Sequence, residues 1–157
     1  MPSARPIALV LGACLLCVLI AGCGGASSTA AGKPSRAPAY VAAADAVCVQ
    51  AQAELHKLSE PTTPGQAVAY LPSAIAIINR ETLRLAALDP LASRRGWFGA
   101  ALSDARKLAG VLAAFLHQLR AGIVELATFS QVQTQSTTLR TEINGSFRQA
   151  GLSRCVA

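Results

Sequence analysis

The sequence predicts an all-α protein, an up-down-up-down four-helix bundle closed by one disulfide. Three observations predict it. Alanine fills 32 of the 157 positions and aromatics only 4%. Alanine costs no side-chain entropy in a helix and lets helices approach closely, while the β-branched and aromatic residues that favour strands are comparatively few. From residue 40 onward, apolar residues recur at steps of three and four, which is the period of a helix face. Four such stretches follow one another with mostly short connections, the pattern of an antiparallel bundle.

The first 22 residues stand apart from that pattern. Met1 to Arg5 is a short positive segment, and Ile7 to Ile20 is an apolar run interrupted only by Gly12. A membrane-spanning helix needs about 20 apolar residues, so this run has the length of a signal-peptide core instead. It ends in Ile20, Ala21, Gly22 and Cys23. That quartet resembles the bacterial lipobox, an aliphatic residue and two small residues before a cysteine. The resemblance implies removal of residues 1–22, a diacylglycerol on the Cys23 sulfur, and a membrane-lipid anchor on the extracytoplasmic face of the cell membrane. Two acyl chains suffice for stable anchoring, at about 0.8 kcal/mol per buried CH₂. Residues 23–38 would then be the lipidated cysteine and a tether, since Gly24 to Pro38 is rich in Gly, Ser, Ala and Pro and has no apolar period.

The helical domain spans residues 39–157. The first helix, from Tyr40 to Glu60, presents Val41, Ala44, Cys48, Ala51, Leu55 and Leu58, and Pro61 stops it. Thr63, Pro64 and Gln66 are an N-cap, a first-turn proline and the third residue of a capping box. The second helix runs from there to Leu88, with Val68, Leu71, Ile75, Ile78, Leu85 and Leu88 on its face, and Pro72 predicts a kink near Val68. The third starts between Leu91 and Trp97 and ends near Gly122 or continues to Ala127. Its row runs from Phe98 and Leu102 through Ala109 and Leu116 to Ile123. Thr128 and Gln131 form a second capping box, opening a fourth helix with Phe129, Val132, Leu139, Ile143, Phe147 and Ala150 on its face; Ser136 is the polar gap in that row. Gly151 and Leu152 have the form of a Schellman stop.

The cysteines then add up. Cys14 and Cys17 leave with the leader, Cys23 takes lipid, and Cys48 and Cys155 remain in an oxidising compartment. In an up-down-up-down bundle the start of the first helix and the end of the fourth share one end. The two residues are therefore expected to pair, closing a loop of about 108 residues and contributing about 4–5 kcal/mol. The alternative is two separately buried thiols.

Nothing in the domain spells out a reaction. His56 and His117 each follow a core leucine and are expected to face solvent on different helices, so no metal site is expected. Met1 is the only methionine, and no inward Glu-x-x-His motif or G-x-S-x-G elbow occurs. The eight acidic residues are scattered; Glu81, between Arg80 and Arg84, has the look of a solvated face. No cofactor and no catalysis are expected. The net charge of +6 is spread along the chain without a block of like charges, which argues against nucleic acid as a partner. Arg94, Arg95, Trp97 and Phe98 form the one aromatic and basic cluster. It is either a contact site for a partner or lipid or, the simpler reading, a plug closing the bundle end.

Taken whole, the chain resembles small all-helical lipoproteins of high-GC bacteria, in its lipobox, its tether, the A-D-A-V-C stretch at Ala44 to Cys48 and the terminal G-L-x-x-C at Gly151 to Cys155. That family carries no assigned activity, so the resemblance speaks to architecture and location. Two functions are compatible with it, the first the leading expectation and the second its alternative. One is a non-catalytic module contacting another envelope protein or component. The other is a binder of a small ligand in a cavity between helices, near Pro72. A filled core favours the first; an apolar cavity of several hundred Å³ with converging polar groups favours the second.

Overall fold

The structure is a computed structural model that describes residues 36–123 and 125–156. Four helices make up the domain: α1 (Arg36–Leu55), α2 (Pro64–Ala86), α3 (Arg95–Arg120) and α4 (Leu126–Gln149). Short 3-10 turns precede α3 at Ala92–Arg94 and follow α4 at Ser153–Cys155. There is no strand among the described residues, so the all-α class holds. The leader, the lipobox Ile20, Ala21 and Gly22, Cys23 and the tether up to residue 35 lie outside the described residues.

The helix ends follow local chemistry. At the start of α2 the Thr63 hydroxyl accepts from the Gln66 backbone N–H at 3.3 Å, and the Gln66 side chain accepts from the Thr63 N–H at 3.2 Å. This reciprocal box satisfies amide donors that a helix start leaves without partners. Two Schellman motifs end α3 and α4. Gly122 (φ 69°) and Gly151 (φ 78°) occupy the left-handed region. In the second motif the Gly151 N–H reaches the Arg148 carbonyl and the Leu152 N–H reaches Phe147, both at 2.9 Å.

Three boundaries differ from expectation. Helix α1 begins at Arg36, inside the segment expected to be tether, because Pro38 falls in the first turn, where a missing N–H costs nothing. It ends at Leu55, five residues before Glu60, in a turn through residues 56–58. Helix α4 begins at Leu126, and the capping box expected at Thr128 is not used. Its hydrogen-bond ladder already starts with the Phe129 N–H on the Glu125 carbonyl. The Schellman turn at Gly122 feeds the chain directly into α4, so Thr128 lies within the first turn.

Neighbours in sequence pack together: α1 on α2, α2 on α3, α3 on α4. Side chains link α1 to α2 outside the core, with Arg80 on Glu54 and Arg84 donating to the Gln50 amide oxygen at 2.6 Å. On its other side α1 meets the 3-10 turn after α4, where Gln52 donates to the Arg154 carbonyl at 3.0 Å. There the Cys48–Cys155 disulfide forms, with Cα atoms 4.9 Å apart, within the span that a disulfide bridges. Cys48 is fully buried.

The core has two clusters. One surrounds the disulfide and holds Tyr40, Ala44, Leu85, Phe98, Phe147 and Leu152. The other holds Ala67, Leu71, Phe115 and Leu116.

Candidate functional site

Between the two clusters the helices do not close. A cavity of about 550 Å³ opens there, with walls from all four helices. Its floor is apolar. Leu71, Ala74, Ile78 and Leu85 come from α2, Ala105, Leu108 and Leu112 from α3, and Ile143 and Phe147 from α4. Leu55 and Leu58 contribute from the end of α1 and the turn beyond it, and Cys155 from the disulfide end. Alanine at positions 74 and 105 leaves room that a larger side chain would fill. The volume lies within the range of small-molecule sites.

A few polar groups enter this wall, and most are already occupied. The Thr82 hydroxyl is bonded to the Ile78 carbonyl at 2.8 Å. The Gln52 amide nitrogen is bonded to Arg154, and Asn144 has a partner as well. Glu81 differs. Its side chain lies in the wall and makes no hydrogen bond or ion pair among the described residues. Burial alone pushes its carboxyl up to about 7, because the charged form loses water without gaining a donor. His56 and Arg140 reach the cavity from exposed positions, so the charged groups of the site are graded from a half-buried acid to a solvated rim.

This corrects the reading of Glu81 as part of a solvated face. The signal was present in the row of α2. The apolar positions step from Leu71 to Ile75 and Ile78 and then jump to Leu85; the missing step, three or four residues past Ile78, is Glu81 and Thr82. A carboxylate flanked by arginines hides in sequence what the helical period reveals.

The other residues singled out in sequence are divided by the structure. Phe98 is buried, at 3% exposure, and meets the Tyr40 ring edge-on with centroids 5.6 Å apart. Trp97 is 51% exposed. Arg94 turns toward the end of α4 and donates to the Ala150 carbonyl at 2.9 Å. Arg95 forms an exposed ion pair with Asp89 at 3.4 Å. The four residues thus do not form one surface: Phe98 and Arg94 hold the bundle end together, and Trp97 faces outward. His56 and His117 are both exposed. Among the described residues no three His, Cys, Asp or Glu gather as a metal site, and no helix is long and apolar enough to cross a membrane.

Compared with known proteins, the chain matches no protein-family profile, no curated protein and no solved structure.

Proposed function

We propose that this chain is a lipid-anchored protein of the cell envelope that binds a small, largely apolar ligand between its helices. The observation that carries the ligand reading is the cavity of about 550 Å³, apolar on its floor and lined by the half-buried Glu81 carboxyl, which makes no hydrogen bond or ion pair among the described residues. A domain whose only task is to present an outer surface gains stability by filling such a space. Two alanines and a glutamate stand where leucines would close it.

The anchor rests on the lipobox at Ile20 to Cys23. The up-down-up-down course rests on the packing of sequence neighbours, the short connections at 56–63, 87–94 and 121–125, and the disulfide between α1 and the segment after α4.

Contact with another envelope protein is the second reading, and the exposed indole of Trp97 favours it. One experiment addresses both. The protein is isolated from membranes of its host under mild conditions, and small molecules that leave it on denaturation are identified by mass spectrometry. A stoichiometric apolar compound, lost on Ala105→Trp, is expected. A protein isolated empty, but crosslinked to one partner through the region of Trp97, would move the assignment to the second reading. For the anchor, Cys23→Ser is expected to lose incorporation of labelled fatty acid; a variant still labelled would exclude lipidation at Cys23.

A further inference from the structure

Glu81 is the feature of the cavity that filling space does not explain. A ligand that merely sought apolar surface would be served as well by leucine there, and the protein would be more stable. No donor in the wall reaches the Glu81 carboxyl among the described residues: Thr82 and Gln52 donate to backbone carbonyls, and Asn144 is engaged. The titratable and charged groups around the cavity are His56 and Glu60 beyond the end of α1, Tyr70 on α2 with Glu81 itself, and Arg140 on α4; α3 contributes none. His56, Glu60 and Arg140 are exposed and screened by water. The half-buried carboxyl faces the cavity without a partner among the described residues, and a ligand seated there can bring it a donor.

Three kinds of head group can meet this half-buried carboxyl. An anionic head is repelled, or forces Glu81 to keep its proton. A neutral hydroxyl forms an ordinary hydrogen bond. An ammonium forms a charge-assisted one, about twice as strong, and removes the cost of ionising Glu81 in an apolar wall. A metal ion would need several ligands together, and no such group gathers among the described residues.

We propose that Glu81 makes the cavity selective for ligands with an apolar body and a protonated amine head. This rests on the ligand-binding reading above and adds the chemistry of the head group. The apolar floor from α2, α3 and α4 takes the body, and the Glu81 carboxylate takes the ammonium. Loading is then coupled to pH, because a protonated Glu81 has no charge to offer the amine.

The test uses three probes of one chain length, decylamine, decanol and decanoic acid, each titrated below its micelle concentration into the full chain. At pH 8 decylamine is expected to bind at least about tenfold tighter than decanol, a difference of about 1.4 kcal/mol, and decanoate weakest. At pH 5.5 the advantage of the amine is expected to shrink. Glu81→Gln is expected to erase the preference of amine over alcohol, with helicity by circular dichroism as the check on folding. Equal binding of amine and alcohol to the native chain, or a preference that survives in Glu81→Gln, overturns the selectivity and leaves the cavity reading standing. Failure of all three probes to bind the natively helical chain, or binding of all three undiminished in Ala105→Trp, overturns both.

Discussion

A carboxyl group set in an apolar wall is a standing cost, and Glu81 bears it on the face that α2 otherwise gives to the core. The cost has a pH signature. Below about pH 4.5 Glu81 is protonated in both folded and unfolded chains and weighs on neither. As pH rises, the unfolded chain ionises first, while the folded carboxyl keeps its proton until about pH 7. The folded state thus binds more protons in that window, and stability falls across it. Above pH 7 the full penalty stands, at most about 3 kcal/mol and smaller to the extent that water reaches the group. Denaturant midpoints measured from pH 4 to pH 8 are expected to decline for the native chain. Those of Glu81→Gln should lack this component, and a parallel decline in both proteins would contradict the assignment. Sequence reasoning misplaced this residue because charge neighbours outweighed period. Arg80 and Arg84 do face solvent, but Arg80, one position away, lies on another face and pairs with Glu54, and Arg84, three positions on, turns to the Gln50 amide of α1.

The helices themselves were largely legible, and what made them so was the chemistry of their ends. Thr63, Pro64 and Gln66 do what their spacing implies. Both stop glycines adopt the positive φ that a Schellman turn requires. Their surroundings differ, which separates their costs. A Cβ at Gly122 would meet nothing within 4 Å, whereas at Gly151 it would lie 1.6 Å from an Arg94 guanidinium nitrogen. Gly122→Ala is expected to cost about 1 kcal/mol from backbone strain alone. Gly151→Ala must also displace Arg94 from the Ala150 carbonyl, for about 2 kcal/mol in all. Urea unfolding midpoints compare the two, and equal losses would mean that Arg94 contributes nothing to that end. The starts of α1 and α4 were less legible. Pro38 and Thr128 carry boundary signals in sequence, yet both fall inside first turns, where proline is tolerated and a cap is already bypassed. Phe115 was absent from the expected row of α3, yet it is buried and meets the Phe129 ring at 6.0 Å. A helix touched on two sides, as α3 is by α2 and α4, buries more than a single stripe.

At the scale of the whole molecule, the disulfide does what the core alone does only in part. The core is divided by a cavity, so the covalent link between α1 and the last turn supplies closure that packing leaves incomplete. Fully reducing the Cys48–Cys155 bond is expected to remove about 4–5 kcal/mol, lowering Tm by roughly 20 °C in a domain of this size. Calorimetry with and without reductant measures it, and an unchanged Tm would mean that the helices hold together unaided. The pairing was legible because it followed from counting thiols and from the course of a bundle. The cavity was not: whether four apolar rows meet or leave a gap depends on side-chain volumes summed across helices, which no single row displays.

The same bond decides how the domain answers mechanical load. Residues 48 to 155 form a covalent ring, with the chain entering at Cys48 and leaving at Cys155. Tension applied between the chain ahead of Cys48 and the chain after Cys155 passes from one to the other through sulfur. The residues of α1 ahead of Cys48 can be drawn out, but the pull never enters α2, α3 or α4. The helices that carry most of the cavity wall are outside the line of force.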